Sequence, residues 1–138
     1  MRVFWDTNIF VYRFEENGVL SLQASALWER MEARGDILIS SVLTLGELLA
    51  GTAQSDPNMA DMTRRLLLST TTLIPFDISA AERFAVIRAN RSIKAPDAIQ
   101  LACALVSRCD LFVTNDQLLS RMSVPGIPVI SSLQEVPI

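Results

Sequence analysis

Four acidic residues of this 138-residue chain, Asp6, Glu47, Asp97 and Asp116, sit where a carboxylate is locally awkward. Asp6 follows the apolar run Val3-Phe4-Trp5, and Asp116 follows Leu111-Phe112-Val113-Thr114-Asn115. Glu47 interrupts the apolar stretch Val42 to Ala50, and Asp97 stands immediately before the apolar stretch Ala98 to Val106. A charge beside apolar segments is costly to desolvate unless it is paired or binds a metal. The chain contains no histidine, which removes the commonest proton shuttle and the commonest transition-metal ligand. Chemistry built on carboxylates alone points toward a hard cation, Mg2+ or Mn2+.

Each acid also has a plainer reading. Asp6-Thr7-Asn8 is ordinary turn chemistry, because Asx side chains cap backbone amides. Asp97 at a helix start is favoured by the helix dipole, and Asp116 suits the cap of a helix beginning at Gln117. Glu47 is hardest to explain this way, since its helical neighbours Leu43, Thr44, Ala50 and Gly51 are mostly apolar. Taken together the plain readings weaken. Two carboxylates about 4 Å apart repel by roughly 4 kcal/mol at an effective dielectric near 20. A cluster of four needs divalent cations, or arginine from a partner, to persist.

The elements that must position these acids alternate in type. A strand at Arg2 to Trp5 leads through a turn into a helix near Ile9, and a second helix spans about Ser21 to Ala33. After Gly35-Asp36 comes a strand at Ile37 to Ile39, then a helix N-capped by Ser41 and ending near Gly51. Asp56-Pro57 starts a helix through Arg65 to Leu68. A short strand at Leu73 to Phe76 precedes a helix capped by Ser79 and running to about Asn90. Pro96-Asp97 opens a helix ending near Arg108-Cys109, followed by strands at Leu111 to Thr114 and Val129-Ile130. Apolar strands separated by helices imply βαβ crossovers, hence an α/β fold with a mostly parallel sheet of four to five strands and helices on both faces. Sites in such sheets form outside the carboxyl ends of strands. Asp6 and Asp116 stand there, Glu47 and Asp97 lie in early turns of helices that follow strands, and convergence of all four on one edge is expected.

Composition sets the bounds. At this length, and with half the residues hydrophobic, residues 1–138 are expected to form a single domain with a packed core. Asp6 breaks the N-terminal apolar run, no apolar stretch reaches the roughly 18 residues of a membrane span, and a cytoplasmic protein is expected. Cys103 and Cys109, read as lying in one helix, would be too far apart along its axis for a disulfide and are taken as core. The net charge of −3 is not that of a nucleic-acid binder, but setting aside the four candidate acids moves it to +1. Arginine outnumbers lysine eleven to one, which favours forked phosphate contacts. Arg83, Arg88, Arg91 and Lys94 could touch a polyanion or simply form a solvated face. Phe10, Phe14, Trp28 and Phe84 read as core rather than as platforms for stacked bases. No Ser-His pair, P-loop or glycine-rich dinucleotide turn is present.

Asp6-Thr7-Asn8, Gly46-Glu47-Leu48, Pro96-Asp97-Ala98-Ile99-Gln100-Leu101-Ala102 and Thr114-Asn115-Asp116, in this order and spanning nearly the whole chain, together resemble the PIN-domain ribonucleases. Within that family the likeness is to the VapC-type toxins of bacterial toxin–antitoxin pairs. The resemblance implies a three-layer α/β/α fold and Mg2+- or Mn2+-dependent endonucleolytic cleavage of RNA by a metal-activated water. It implies that Asp6, Glu47, Asp97 and Asp116 are the catalytic acids, with Asp6, Asp97 and Asp116 binding metal directly and Glu47 acting through water. Thr7, Asn8, Thr114 and Asn115 would orient them. It also implies a homodimer neutralised by a small antitoxin protein, with the stretch Gly51 to Leu67 as a region where partner contacts vary.

Two other readings compete. A haloacid-dehalogenase-like phosphatase also places an Asp after its first strand, but needs a second Asp two residues on, where this chain has Asn8. A catalytically silent PIN fold acting as a binding module would have no evident reason to keep four mutually repelling acids.

Overall fold

A computed structural model describes residues 1–15, 18–52 and 56–138. In chain order the elements are β1 (Arg2–Trp5), α1 (Thr7–Phe14), α2 (Gly18–Arg34), β2 (Ile37–Ser41), α3 (Val42–Thr52), α4 (Pro57–Thr70), β3 (Thr72–Ile74), α5 (Ile78–Ile87), α6 (Ala95–Ser107), β4 (Leu111–Thr114) and β5 (Val129–Ser132). Single 3-10 turns follow β4 at Leu119–Arg121 and β5 at Leu133–Glu135. The strands belong to a five-stranded parallel sheet in the order β3-β2-β1-β4-β5. The α/β expectation therefore holds, at the upper end of the strand count. No described helix is long and apolar enough to cross a membrane. Contacts group the chain into two compact units, residues 1–38 with 108–138, and residues 39–107.

The first unit is built on β1 and β4, apolar runs in which Val3, Phe4, Trp5, Leu111, Phe112 and Val113 are all fully buried. Such unalternating strands belong to a parallel sheet covered on its faces. Their register, Val3↔Leu111 through Trp5↔Val113, sets Phe4 and Phe112 in a parallel stack with centroids 5.1 Å apart. β4 continues into β5 from Leu111↔Val129 to Thr114↔Ser132. Trp5 meets Phe10 of α1 edge-on at 5.2 Å and Trp28 of α2 at 5.9 Å, and Phe14 lies against Phe10; Phe10 is core as expected, whereas Phe14 and Trp28 are half-buried at its edge. Asp36, just before β2, accepts from the Met1 ammonium and from Arg34 Nε, both at 2.8 Å.

The second unit pairs β2 with β3 in parallel, Ile39↔Thr72 through Ser41↔Ile74, and carries four helices. Ser41 caps α3 as expected, its Oγ accepting from Thr44 N at 3.2 Å. Asp56 caps α4 by accepting from Asn58 N, with Pro57 in the first turn where its missing N–H costs nothing. Gln100 of α6, 2 % exposed, accepts from Ser41 Oγ and donates to Thr44 Oγ1 at 2.8 Å, while Ser40 Oγ donates to Thr44 Oγ1 at 2.9 Å. α6 is thus clasped to the β2–α3 junction by side-chain hydrogen bonds in an otherwise apolar interior. Burial, with the charge of Asp77 adding to it, pushes the Cys103 thiol up to about 11, as suits a core cysteine.

Several sequence-based boundaries move. Helix α1 starts at Thr7 rather than Ile9, because Asp6 itself is the cap. Helix α2 reaches back to Gly18, whose φ of +88° few other residues would adopt. Strand β3 stops at Ile74, since Pro75 has no N–H for the ladder. The cap of α5 is Asp77, accepting from Ala80 N at 2.9 Å, and not Ser79; the helix ends at Ile87, not near Asn90. Arg88 donates to the Ile93 carbonyl across the following turn. Helix α6 ends at Ser107, where Arg108 turns to φ +55°, so Cys109 lies outside the helix; both cysteines are buried and do not form a disulfide. The helix expected from Gln117 is only the 3-10 turn Leu119–Arg121. Part of the stretch expected to vary with partners, residues 53–55, lies outside the described residues.

Two outcomes follow. Burial raises the Asp36 carboxyl, but hydrogen bonds and charge from the Met1 ammonium and Arg34 outweigh it and hold it below its ordinary value of 3.8. A carboxylate with a lowered folded pKa stabilises the fold above the unfolded pKa, and that contribution fades as pH falls through the folded one. Asp36→Asn is expected to flatten the stability profile below about pH 4, measured by urea unfolding across acid pH. Gln100→Leu keeps the volume but removes the acceptor of the buried Ser41 hydroxyl and one of the donors to Thr44 Oγ1, and is expected to cost about 1–3 kcal/mol in the same assay.

Candidate active site

A carboxylate at the end of a buried apolar strand needs donors within reach, and Asp6 has them. It is 6 % exposed. As the cap of α1 it accepts from Thr7 N at Oδ1, 2.8 Å, and Oδ2 accepts from Thr114 Oγ1 at 2.7 Å. The Asp6 amide donates to the Val113 carbonyl at 2.9 Å, so backbone and side chain are both tied to β4. Thr114 is fully buried, and its hydroxyl oxygen accepts from Asp116 N at 3.1 Å while its proton goes to Asp6. One hydroxyl therefore links the two acids that follow β1 and β4. Asp116 Oδ1 accepts from Leu119 N at 2.9 Å, the capping role anticipated for it, though on a 3-10 turn.

The asparagines brace the same junction. Asn8 Oδ1 accepts from Asn115 N at 3.2 Å, and Asn115 Nδ2 donates to Tyr12 Oη at 3.2 Å. Of the four residues expected to orient the acids, Thr114 contacts Asp6 by its side chain and Thr7 by its backbone, while Asn8 and Asn115 hold each other. Sequence reading missed Tyr12. Its signal was its place four residues after Asn8, on the same face of α1.

The second unit carries the other two acids. Glu47 is exposed on α3, and Asp97 is part-exposed in the first turn of α6. Each stands one helical turn from the clasp on its own helix, Glu47 three residues after Thr44 and Asp97 three residues before Gln100. Sequence reading placed Gln100 in a motif but gave it no role, although a carboxamide inside the apolar run Ala98 to Val106 was the available signal. Of the cationic cluster, Arg88 is engaged with the Ile93 carbonyl, whereas Arg83, Arg91 and Lys94 are exposed and form no ion pair among the described residues.

Among the described residues no group of three or more His, Cys, Asp or Glu side chains forms a metal cluster. The pair that the first unit assembles, Asp6 and Asp116 bridged by Thr114, is an all-oxygen donor set. It fits Mg2+, which is commonly held by one or two carboxylates with waters and substrate phosphate completing its shell. Nothing in this set would favour a thiophilic metal.

The PIN domain family matches residues 3–125. VapBC2 from Rickettsia felis, bound to a DNA fragment from its promoter, superposes with a TM-score of 0.76 at 19% identity, over 96% of this chain and 98% of that one. DNA-bound VapBC from Salmonella typhimurium gives 0.72 at 22% identity, over 96% and 98%. A toxin–antitoxin complex from Klebsiella pneumoniae gives 0.70 at 24% identity, over 97% and 99%. At these identities the likeness is one of fold. No curated protein matches in sequence. The family match takes in Asp6, Glu47, Asp97 and Asp116 together with the strands and helices that carry them, and the chain belongs to the PIN domain family.

Proposed function

We propose that this chain is a Mg2+- or Mn2+-dependent endoribonuclease, the toxin of a toxin–antitoxin pair, acting in the cytoplasm with residues 1–138 as one domain. The observation that carries the reading is the Asp6–Thr114–Asp116 arrangement past the ends of β1 and β4, in a chain of the PIN domain family. Asp6, Asp97 and Asp116 would hold the ion, and Glu47 would act through water. A divalent ion, when bound, supplies positive charge to a phosphodiester oxygen and lowers the pKa of a coordinated water. The chain's own part is to keep carboxylate oxygens fixed. Thr114 donates to Asp6 and so holds one of its oxygens in place, and the Leu119 amide does the same for Asp116. The exposed cations Arg83, Arg91 and Lys94 suit contact with a polyanionic strand.

The partners are proposed on the same footing. The Rickettsia, Salmonella and Klebsiella structures are toxin–antitoxin assemblies, which supports an antitoxin partner here. Helix α4 exposes Met59, Met62 and Leu66 at three- and four-residue spacing, an apolar stripe of the kind protein partners cover. A homodimer is proposed as well.

Purified protein is expected to cleave RNA with Mg2+ or Mn2+, to stop on adding EDTA, and to lose at least about a hundredfold in rate in Asp97→Asn purified identically. Equal inertness of wild type and mutant on varied RNAs, including structured tRNA, would favour a silent PIN fold that binds without cutting. One cooperative unfolding transition, coincident by fluorescence and circular dichroism, is expected if the chain acts as one domain.

A further inference from the structure

The first unit contains a cavity of about 390 Å³ beside Asn115, and no role described so far uses it. Its size falls in the range of roughly 300–1,000 Å³ typical of small-molecule sites, room for one nucleotide rather than for a strand. Thr114 and Ser132 are register partners on β4 and β5, and the cavity touches Asn115 and Ser132, so it opens just past the carboxyl ends of two neighbouring parallel strands. Asn115 belongs both to the cavity and to the bonded junction next to Asp116. Whatever fills the cavity therefore lies within a residue of a candidate catalytic acid.

The lining has a definite chemical character. Val19 and Leu20 of α2 give an apolar wall, while Gln117, Gln134, Arg121 and Glu135 supply polar groups. None of these four side chains makes a hydrogen bond or ion pair among the described residues. Arg121 and Glu135 line one cavity without pairing with each other, so the forked donors of one and the paired acceptors of the other are both available. A bare phosphate would be repelled by Glu135 and a simple cation by Arg121. A flat neutral ring with donors on one edge and acceptors on another satisfies both, and its faces suit the apolar wall.

Among the RNA bases guanine has that pattern. Its O6 and N7 accept from a guanidinium fork, and its N1–H and N2–H groups offer two adjacent donors to a carboxylate. Adenine and uracil have neither a pair of adjacent acceptors nor a pair of adjacent N–H donor groups, and cytosine lacks the paired donors. We propose that this cavity is a base-binding subsite for a guanine of the RNA strand, next to the cleavage centre. The proposal rests on the ribonuclease reading, which it sharpens by naming a base. Arg121 reads O6 and N7, Glu135 reads N1–H and N2–H, and the Gln117 and Gln134 carboxamides border the ring.

The test is an NMR titration of the whole chain with each of the four nucleoside 5′-monophosphates, followed at the Gln117 and Gln134 side-chain amides. GMP is expected to give saturable shifts there and to bind roughly tenfold more tightly than the other three. Arg121→Ala is expected to abolish that preference. Glu135→Gln should move it from GMP toward AMP, because a carboxamide matches adenine's paired donor and acceptor. Shifts mapping elsewhere, the same shifts with inorganic phosphate alone, or no base preference would overturn the subsite. Filling of the cavity only by an antitoxin segment would overturn it too. GMP binding as described, in a protein that cuts no RNA, would leave the subsite standing and remove the ribonuclease reading. Metal-dependent cutting without guanine binding would do the reverse.

Discussion

The desolvation of Asp6 is the constraint that the first unit is arranged around. Three fully buried residues lead straight into a carboxylate that is itself almost wholly enclosed. A charge in that position is tolerable only where donors already stand. The donors come from the start of α1 and from the end of β4, so the requirement fixes how the helix begins and which strand must lie beside β1. Local backbone geometry, strand pairing and the candidate chemistry are one problem with a shared solution. Thr114 is its pivot, because its one proton and its lone pairs serve two acids at once.

The second unit solves a similar problem by other means. Glu47 and Asp97 lie nearer solvent, and what needs fixing there is the relation of two helices. Apolar packing alone tolerates small slides between helices. A buried carboxamide does not, since each of its hydrogen bonds has a direction and losing one leaves a desolvated group. Gln100 therefore gives α6 a defined position against the Ser41–Thr44 turn, and Asp97, one turn away, inherits it.

Much of this was legible in the sequence. Unalternating runs at Val3 to Trp5 and Leu111 to Val113 announced buried parallel strands, and acids just beyond them marked candidate positions past the strands' carboxyl ends. Asp56-Pro57 and Ser41 marked their helix starts because capping is local chemistry. The misreadings came where two local signals competed. Asp77 and Ser79 are both good caps, and the structure uses the aspartate. The run after Asp116 has a cap but folds into one 3-10 turn, because Met122 leaves helical geometry at φ −82° and ψ 152°. Gln100 and Tyr12 were not legible as partners, since their contacts join residues 56 and 103 positions apart in the chain. No local pattern encodes such pairings.

The double employment of Asp6 changes how its loss should be interpreted. The residue is at once a helix cap and a candidate metal ligand. Alanine at this position would remove both roles together, so an inactive alanine variant would say nothing about chemistry. Asparagine caps helices about as well as aspartate and can still accept from Thr7 N through its one carbonyl oxygen, while its Nδ2 would face Thr114 Oγ1 as a donor and turn that hydroxyl away. It discards the charge and keeps the helix cap. For this site the isosteric amide, and not truncation, separates what the carboxylate does for catalysis from what it does for the fold.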